Sequence, residues 1–437
     1  MNSGHLHIEV FDCLAFNNSL ATADVIQNFI KTQYKNIFWF SFKNSTDNDS
    51  KLAEFDYRTH QWYAGRFIGE ACFRHNGNDY KITIKPRFGE SFLFEMLEEI
   101  YNIRITSSAS KPKNDNDWQH YIKRIISFIW LQKLANANLH GLPKFSIKKS
   151  YKGQSVKGRV NIRQSIKPYY KSNELVSEYY EKVVEETIAR IIYQAYKILK
   201  SEFQLGLINI PDSAQEALNQ VQSISNKHAP VTEIQYRNIR YKDIYLSWKQ
   251  LVDLSWDIIR RKKLSLKQEN SQNGFGFFID MAEIWEQFLR VTLKKHLTKK
   301  GWKIRNTKEI AYKNYFFQRQ LIPDLVFQKG NEIAVWDAKY KRMLGRYFDV
   351  DRTDFFQIHT YLLNYLKKYT LKAGGLLYPI SDKFFKINNY TAPWLINDEG
   401  QEMKFSIDGI ELQELETNES SKNSKNEFIN RIYQQLQ

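Results

Sequence analysis

"LIPDLVFQKGNEIAVWDAKYKR", Leu321 to Arg342, reads as two hydrophobic runs joined by a polar turn at Gln328 to Glu332. Side chains alternate along a strand, so Asp337 and Lys339 share one face and Ala338 points to the other. Asp324 stands just inside the start of the first run, and a chain turning back on itself brings it alongside that pair. A charge inside an apolar strand is costly unless it is paired or used. Two carboxylates converging at strand ends make an oxygen-rich site for a hard cation such as Mg²⁺. A lysine beside them can orient or help deprotonate a water, while the metal lowers that water's pKa and neutralises a phosphodiester. The bland alternative is a surface ion pair with Lys339 or Arg342, which leaves the interruption of two apolar strands unexplained.

Working outward, the spacing predicts a helix over Asp280–Leu297, then strands near Lys303, Phe316–Arg319, Leu325–Phe327 and Ile333–Asp337. A helix over Asp354–Lys368 and a strand over Gly375–Tyr378 close a small α/β domain, 275–412. Upstream, residues 118–266 are mostly helical, with helices expected over Trp118–Asn136, Ser177–Phe203 and about Tyr241–Arg261. Between the first two lies a basic hairpin, 144–171, with nine Lys or Arg, no acid, and Val156, Val160 and Ile162 as a partly buried face. Its Lys148, Lys149, Lys152, Lys157, Arg159 and Arg163 suit phosphates or an acidic partner subunit. "GQSVKGRV", Gly153 to Val160, has the glycine spacing of a phosphate loop but lacks its lysine and hydroxyl, so nucleotide binding is rejected.

Residues 1–106 read as a β-rich domain, with a hairpin turning at Asn76–Gly77–Asn78–Asp79 and a short helix capped by Ser91. A polar linker, 107–117, comes next, and "KQENSQNGFG", Lys267 to Gly276, marks the second boundary. After Leu412, "ETNESSKNSKNE" reads as a solvated spacer, and "FINRIYQQL" as a short amphipathic helix ending the tail 413–437. The fold class is therefore multi-domain α+β.

The formal charge of +16 favours a polyanionic partner, most simply double-stranded DNA. Cys13 and Cys72, the only cysteines, have no metal-ligand spacing, so neither a disulfide framework nor a zinc ribbon is supported. No apolar run approaches the roughly 18 residues of a membrane span, and no signal-peptide pattern opens the sequence. The expected setting is the cytoplasm, without a membrane partner.

Pro323–Asp324 and Asp337–Ala338–Lys339 resemble the PD-(D/E)XK nuclease signature. Glu286, in "MAEIWEQFL", falls on the helix where such nucleases often carry an extra acid, and Gln357 with Tyr361 resembles the QxxxY pair of the RecB-like subgroup. "DMAEIWEQFL", "LIPDLVF", "VWDAKYK" and "QIHTYL" look like the nuclease domain of McrC, the cleavage subunit of the McrBC modified-cytosine restriction system. "YAGRFIGEACFRHNGNDYKITIKPRFGESFLFEMLEEIY" and "SVKGRVNIRQSI" resemble two further segments of that family, with Arg87 and Lys157 as departures. The resemblance implies a Mg²⁺-dependent endonuclease subunit working with a McrB-like AAA+ GTPase hexamer that it binds and stimulates through its N-terminal domain. It implies Asp324, Asp337, Glu286 and the Ala338 carbonyl as metal ligands and Lys339 as the residue positioning the attacking water. Cleavage of both strands would call for two copies. The rival readings are a stand-alone repair or recombination nuclease of the same fold and a non-cleaving adaptor of an AAA+ motor.

Overall fold

The computed structural model describes residues 6–17, 20–32, 37–40, 51–101, 115–203, 205, 210–224, 230–267, 275–305, 308–310, 320–341, 350–381, 394–398, 401–412 and 418–437. The chain forms two compact units, one from residues 1–105 and 272–437, the other from 106–271.

The N-terminal part of the first unit contributes β1 (Leu6–Phe11), α1 (Leu20–Thr32), β2 (Ile37–Phe40), β3 (Ala53–Asp56), β4 (Gln61–Ala64), β5 (Phe67–His75), β6 (Asn78–Lys85) and α2 (Gly89–Tyr101). The β5–β6 turn is tighter than its four-residue reading. His75 faces Asn78, leaving only Asn76 and Gly77, whose φ values of 49° and 81° are the left-handed pair such hairpins need. Helix α2 already begins at Gly89, so Ser91 lies in its first turn and is not its cap.

The second unit holds α3 (Asp115–Ala137), β7 (Lys144–Gly153), β8 (Arg159–Val160), α4 (Ile162–Ser172), β9 (Leu175–Val184), α5 (Glu186–Glu202), α6 (Asp212–Ile224), α7 (Glu233–Arg237) and α8 (Leu246–Lys267). Helices α3, α5, α6 and α8 pack together, with Trp130 fully buried and its indole nitrogen donating to Ser255 Oγ at 2.8 Å. Two expectations are corrected here. Ser177–Phe203 is not one helix: β9 runs to Val184 before α5 starts. The basic run is also no hairpin of its own, because β7 pairs with β9 over its whole length and β8 contributes two residues. Ile162 instead opens α4 behind an Asn161 cap and is 75% exposed, and Val156 is exposed too, so of the expected partly buried face only Val160 is half-buried.

The chain returns to the first unit with β10 (Phe275–Asp280) and α9 (Met281–Leu297). It continues through β11 (Lys303–Ile304), β12 (Glu309–Ile310), β13 (Gln320–Leu321), β14 (Leu325–Lys329), β15 (Glu332–Ala338), α10 (Arg352–Leu366), β16 (Thr370–Ser381), β17 (Trp394–Asp398), β18 (Gln401–Leu412) and α11 (Asn418–Gln435). The strand expected over Phe316–Arg319 lies outside the described residues, as does most of the 107–117 linker.

One sheet has the order β1-β6-β5-β10-β2, with β10 antiparallel to β5 and parallel to β2. Residues 1–106 and 275–412, read from sequence as separate domains, thus share a sheet. Phe278 of β10 is buried in the same core as Val10, Phe29 and Ile84. The second sheet has the order β11-β14-β15-β16-β18-β17, in which β15, β16 and β18 run parallel. Helix α10 covers one face of it, through Ile358, Leu362 and Tyr365 against Val335, Leu376 and Phe405. Gly374 permits that approach, since a Cβ there would lie 2.4 Å from Leu362 Cδ2. Strands β17 and β18 were not expected from the sequence. Among the described residues, no helix is long and apolar enough to cross a membrane.

Much of the supposed polar spacer is helical, as the start of α11. That helix docks through fully buried Phe428 and Ile432 and through Arg431, whose Nη2 donates to Asp408 at 2.8 Å. Lys425 bridges to Glu95 at 2.8 Å and Glu99 at 3.5 Å, both on α2, and Lys295 of α9 reaches Glu99 at 2.9 Å. Burial pushes the Glu99 carboxyl up, but the two ammonium groups outweigh it and hold it below its ordinary 4.5. A depressed folded pKa gives stabilisation that is present above the unfolded value and lost as pH falls through the folded one. Acidification below pH 4.5 is therefore expected to loosen the α11–α2 contact. Proteolytic clipping of the C-terminal helix should rise over that range, and Glu99→Gln should remove the part of the rise that Glu99 causes.

Candidate functional site

The β14–β15 ladder runs from Lys329↔Glu332 up to Leu325↔Trp336. One further pair in that register sets Asp324 opposite Asp337. Two bonds fix Asp324: the Ala338 amide donates to its Oδ2 at 2.9 Å, and Arg290 Nη2 of α9 donates to its main-chain oxygen at 2.6 Å. Asp337 is only 2% exposed. Ile333 and Val335 pack beneath α10, so the same alternation turns Asp337 and Lys339 toward that helix.

Lys339 Nζ lies 2.6 Å from Asp337 Oδ2, donates to Gln357 Oε1 at 2.8 Å and stands 3.4 Å from Asp354 Oδ1. Gln357 Nε2 in turn donates to the Tyr361 hydroxyl at 2.9 Å. Burial disfavours the Lys339 ammonium, but Asp337, Asp354 and Asp324 outweigh it and hold its pKa well above the ordinary lysine value. Burial, then the Asp337 charge, raises Tyr361. The end of β15 is tied down through the Leu377 carbonyl, which accepts the Lys339 amide at 2.9 Å and the Trp285 indole at 3.1 Å.

The structure therefore brings Asp324, Asp337, Ala338, Lys339, Gln357 and Tyr361 together. Glu286 is also buried, on α9 one turn before Arg290, and so on the side of the helix that reaches Asp324. It does not complete a carboxylate cluster. Among the described residues, no three His, Cys, Asp or Glu side chains come together as a metal-holding group. His359 turns away and packs on Phe355 and Phe405.

Sequence reasoning missed Asp354. It is 5% exposed, accepts Lys341 Nζ at 2.5 Å and the Tyr378 hydroxyl at 3.4 Å, and faces Lys339. Its signal was its spacing: Asp354, Gln357 and Tyr361 stand at i, i+3 and i+7 on one helix face. The basic residues sit in the other unit. Lys148, Lys149 and Lys152 pair with Glu178, Glu181 and Glu174, acids outside the run that seemed free of them. Lys157 lies over the Tyr151 ring at 4.4 Å, and Arg159 and Arg163 are exposed.

Residues 64–379 match the family described as McrBC 5-methylcytosine restriction system component. The chain belongs to that family. Two solved structures that resemble it are of McrBC complexes. A Thermococcus gammatolerans half-complex, from a tetradecameric assembly of McrB AAA+ hexamers with bound McrC, is 16% identical over 98% of this chain and 100% of that one, with a TM-score of 0.47. The cryo-EM structure of the McrBC complex of the same organism is 14% identical over 67% of this chain and 88% of that one, with a TM-score of 0.32. Likenesses of that size do not bear on the fold. No curated protein matches.

The ion pair at this site makes a stability test. Lys339→Met leaves the buried Asp337 carboxylate without its nearest cation, a change expected to cost about 3 kcal/mol. Urea denaturation should register that loss, and adding Asp337→Asn should recover most of it.

Proposed function

We propose that this chain is the DNA-cleaving subunit of a McrBC-type restriction system, the counterpart of McrC. In this reading it cuts double-stranded DNA by Mg²⁺-dependent phosphodiester hydrolysis. The observation that carries the reading is the meeting of Asp324 and Asp337 at the ends of two paired strands, with Lys339 locked beside them by Gln357. The donors fit a hard divalent cation. They are all oxygens, and one of them belongs to the buried Asp337 carboxylate. Asp324, Asp337 and the Ala338 carbonyl would hold the ion, and Glu286 stays outside that group on α9. Bound there, Mg²⁺ would supply a water of lowered pKa and neutralise charge on the phosphate.

The chain's own contribution is positioning. The Lys339 ammonium, 2.6 Å from Asp337 and fixed by Gln357, would orient the water and offset charge on the phosphate. Gln357, anchored by Tyr361, aims the ammonium, and Asp354 balances it from the far side. Cleavage at phosphorus would be in line, leaving a 5′-phosphate and a 3′-hydroxyl. Family membership supports a partner AAA+ GTPase and 5-methylcytosine in the substrate. The McrC of Thermococcus gammatolerans is bound to McrB hexamers. The corresponding contact here would use the N-terminal segment, and two copies would serve the two strands.

The test is plasmid cleavage with Mg²⁺, with and without the partner and GTP, on methylated and unmethylated DNA. Cleavage of methylated DNA that needs the partner and GTP is expected. Cleavage without any nucleotide would identify a stand-alone nuclease instead. Asp337→Ala should abolish cutting while partner binding and GTPase stimulation persist, and a variant that still nicks the plasmid would refute the site assignment.

A further inference from the structure

Just past the catalytic strand, the chain is gripped by the other sheet of the same unit. Strands β1 and β6 run parallel to the pair Phe11↔Lys85, and the Asp12 amide donates to the Lys85 carbonyl at 2.9 Å. Asp12 is fully buried. Its carboxylate accepts the Arg87 amide at 2.5 Å and the Tyr340 hydroxyl. The Arg87 guanidinium lies between two rings, 4.7 Å from the centroid of Phe88 and 4.9 Å from that of Tyr340, and its Nη2 donates to the Lys341 carbonyl at 3.3 Å. Tyr340 itself is 3% exposed.

These contacts fall on the two residues immediately after Lys339. Strand β15 ends at Ala338, and the Lys339 amide makes the next main-chain bond, to Leu377. Beyond it, Tyr340 is held by ring and hydroxyl, and Lys341 by its carbonyl and by its ammonium on Asp354. A side chain whose Nζ must sit between three partners needs its main chain fixed on both sides.

We propose that Arg87 is a positioning residue for Lys339: through Tyr340 and Lys341, with buried Asp12 holding its main-chain amide, it fixes the strand exit on which the lysine stands. The inference rests on the proposed nuclease function only for its catalytic consequence. Arg66, just before β5, provides a control for exchange at 339–341, because its guanidinium reaches the α9 cap Asp280, at 2.9 Å, rather than the exit of β15.

The test compares the full-length chain carrying Arg87→Gln, Tyr340→Phe or Arg66→Gln. Hydrogen exchange of the amides at 339–341 is measured against those at 325–335, together with Mg²⁺-dependent plasmid cleavage in the presence of the partner. Arg87→Gln is expected to speed exchange at 339–341 alone and to lower kcat roughly ten- to a hundredfold, with KM for DNA unchanged. Tyr340→Phe, which keeps the ring and loses only the hydroxyl, should show a smaller loss of the same kind, and Arg66→Gln should leave exchange at 339–341 at the wild-type rate. Wild-type exchange at 339–341 in Arg87→Gln would overturn the proposal, as would equally fast exchange there in Arg66→Gln. Should the wild-type chain fail to cut under every condition, the nuclease reading falls, and the exchange pattern still decides whether the clamp exists.

Discussion

Everything at the working edge of the second sheet depends on one ammonium. Asp324, Asp337 and Asp354 all raise the pKa of Lys339, and acids gathered this closely would repel one another without it. The lysine also determines where α10 must lie, because Gln357 and Asp354 have to reach it from the helix. Leu362 seats that helix against Gly374, where no side chain stands in the way. A packing requirement on one residue and an electrostatic requirement on another thus select the same helix position.

The site lies at the carboxyl end of β15, within a run of parallel strands that also includes β16 and β18. That is where open α/β sheets leave a crevice for ligands. Here the ends are reinforced by unlike means. Leu377 gathers the Trp285 indole and the Lys339 amide on one carbonyl, Arg290 holds the main chain at Asp324, and Asp12 with Arg87 grips Tyr340 and Lys341. The functional groups are held from α9, from β16 and from the N-terminal sheet. The short stretch of sequence that names them contains none of these supports.

That separation explains what was legible in the sequence. The β14–β15 hairpin announces itself locally, through two apolar runs, a glycine turn and acids where none should be. The helix over Met281–Leu297 and the one carrying Gln357 and Tyr361 are legible from their periodicity. Strand β9 misleads because Val176, Tyr179, Tyr180 and Val183 recur at helical spacing. Their β-branched and aromatic character shows only once β7 is available to pair with them. Asp354 looks like one more acid in a helix's first turn, and its burial depends on Tyr378 and Lys341, which are remote in sequence. Arg87 and Asp12 belong to the same category: their meaning lies in contacts across more than 250 positions.

The placement of β10 has a consequence for how the molecule is made. Among the described residues this strand is the only partner of β2, and it covers the inner edge of β5, yet it comes after the whole of the second unit in the chain. A nascent chain that has emerged only as far as α8 therefore carries an unfinished sheet with two open edges, through the synthesis of about 170 residues. The second unit, contiguous in sequence, can close on itself during that interval. The first must wait until Asp280 has emerged. Cutting the gene at its compositional seams would separate a sheet from one of its interior strands, exposing edges that invite aggregation.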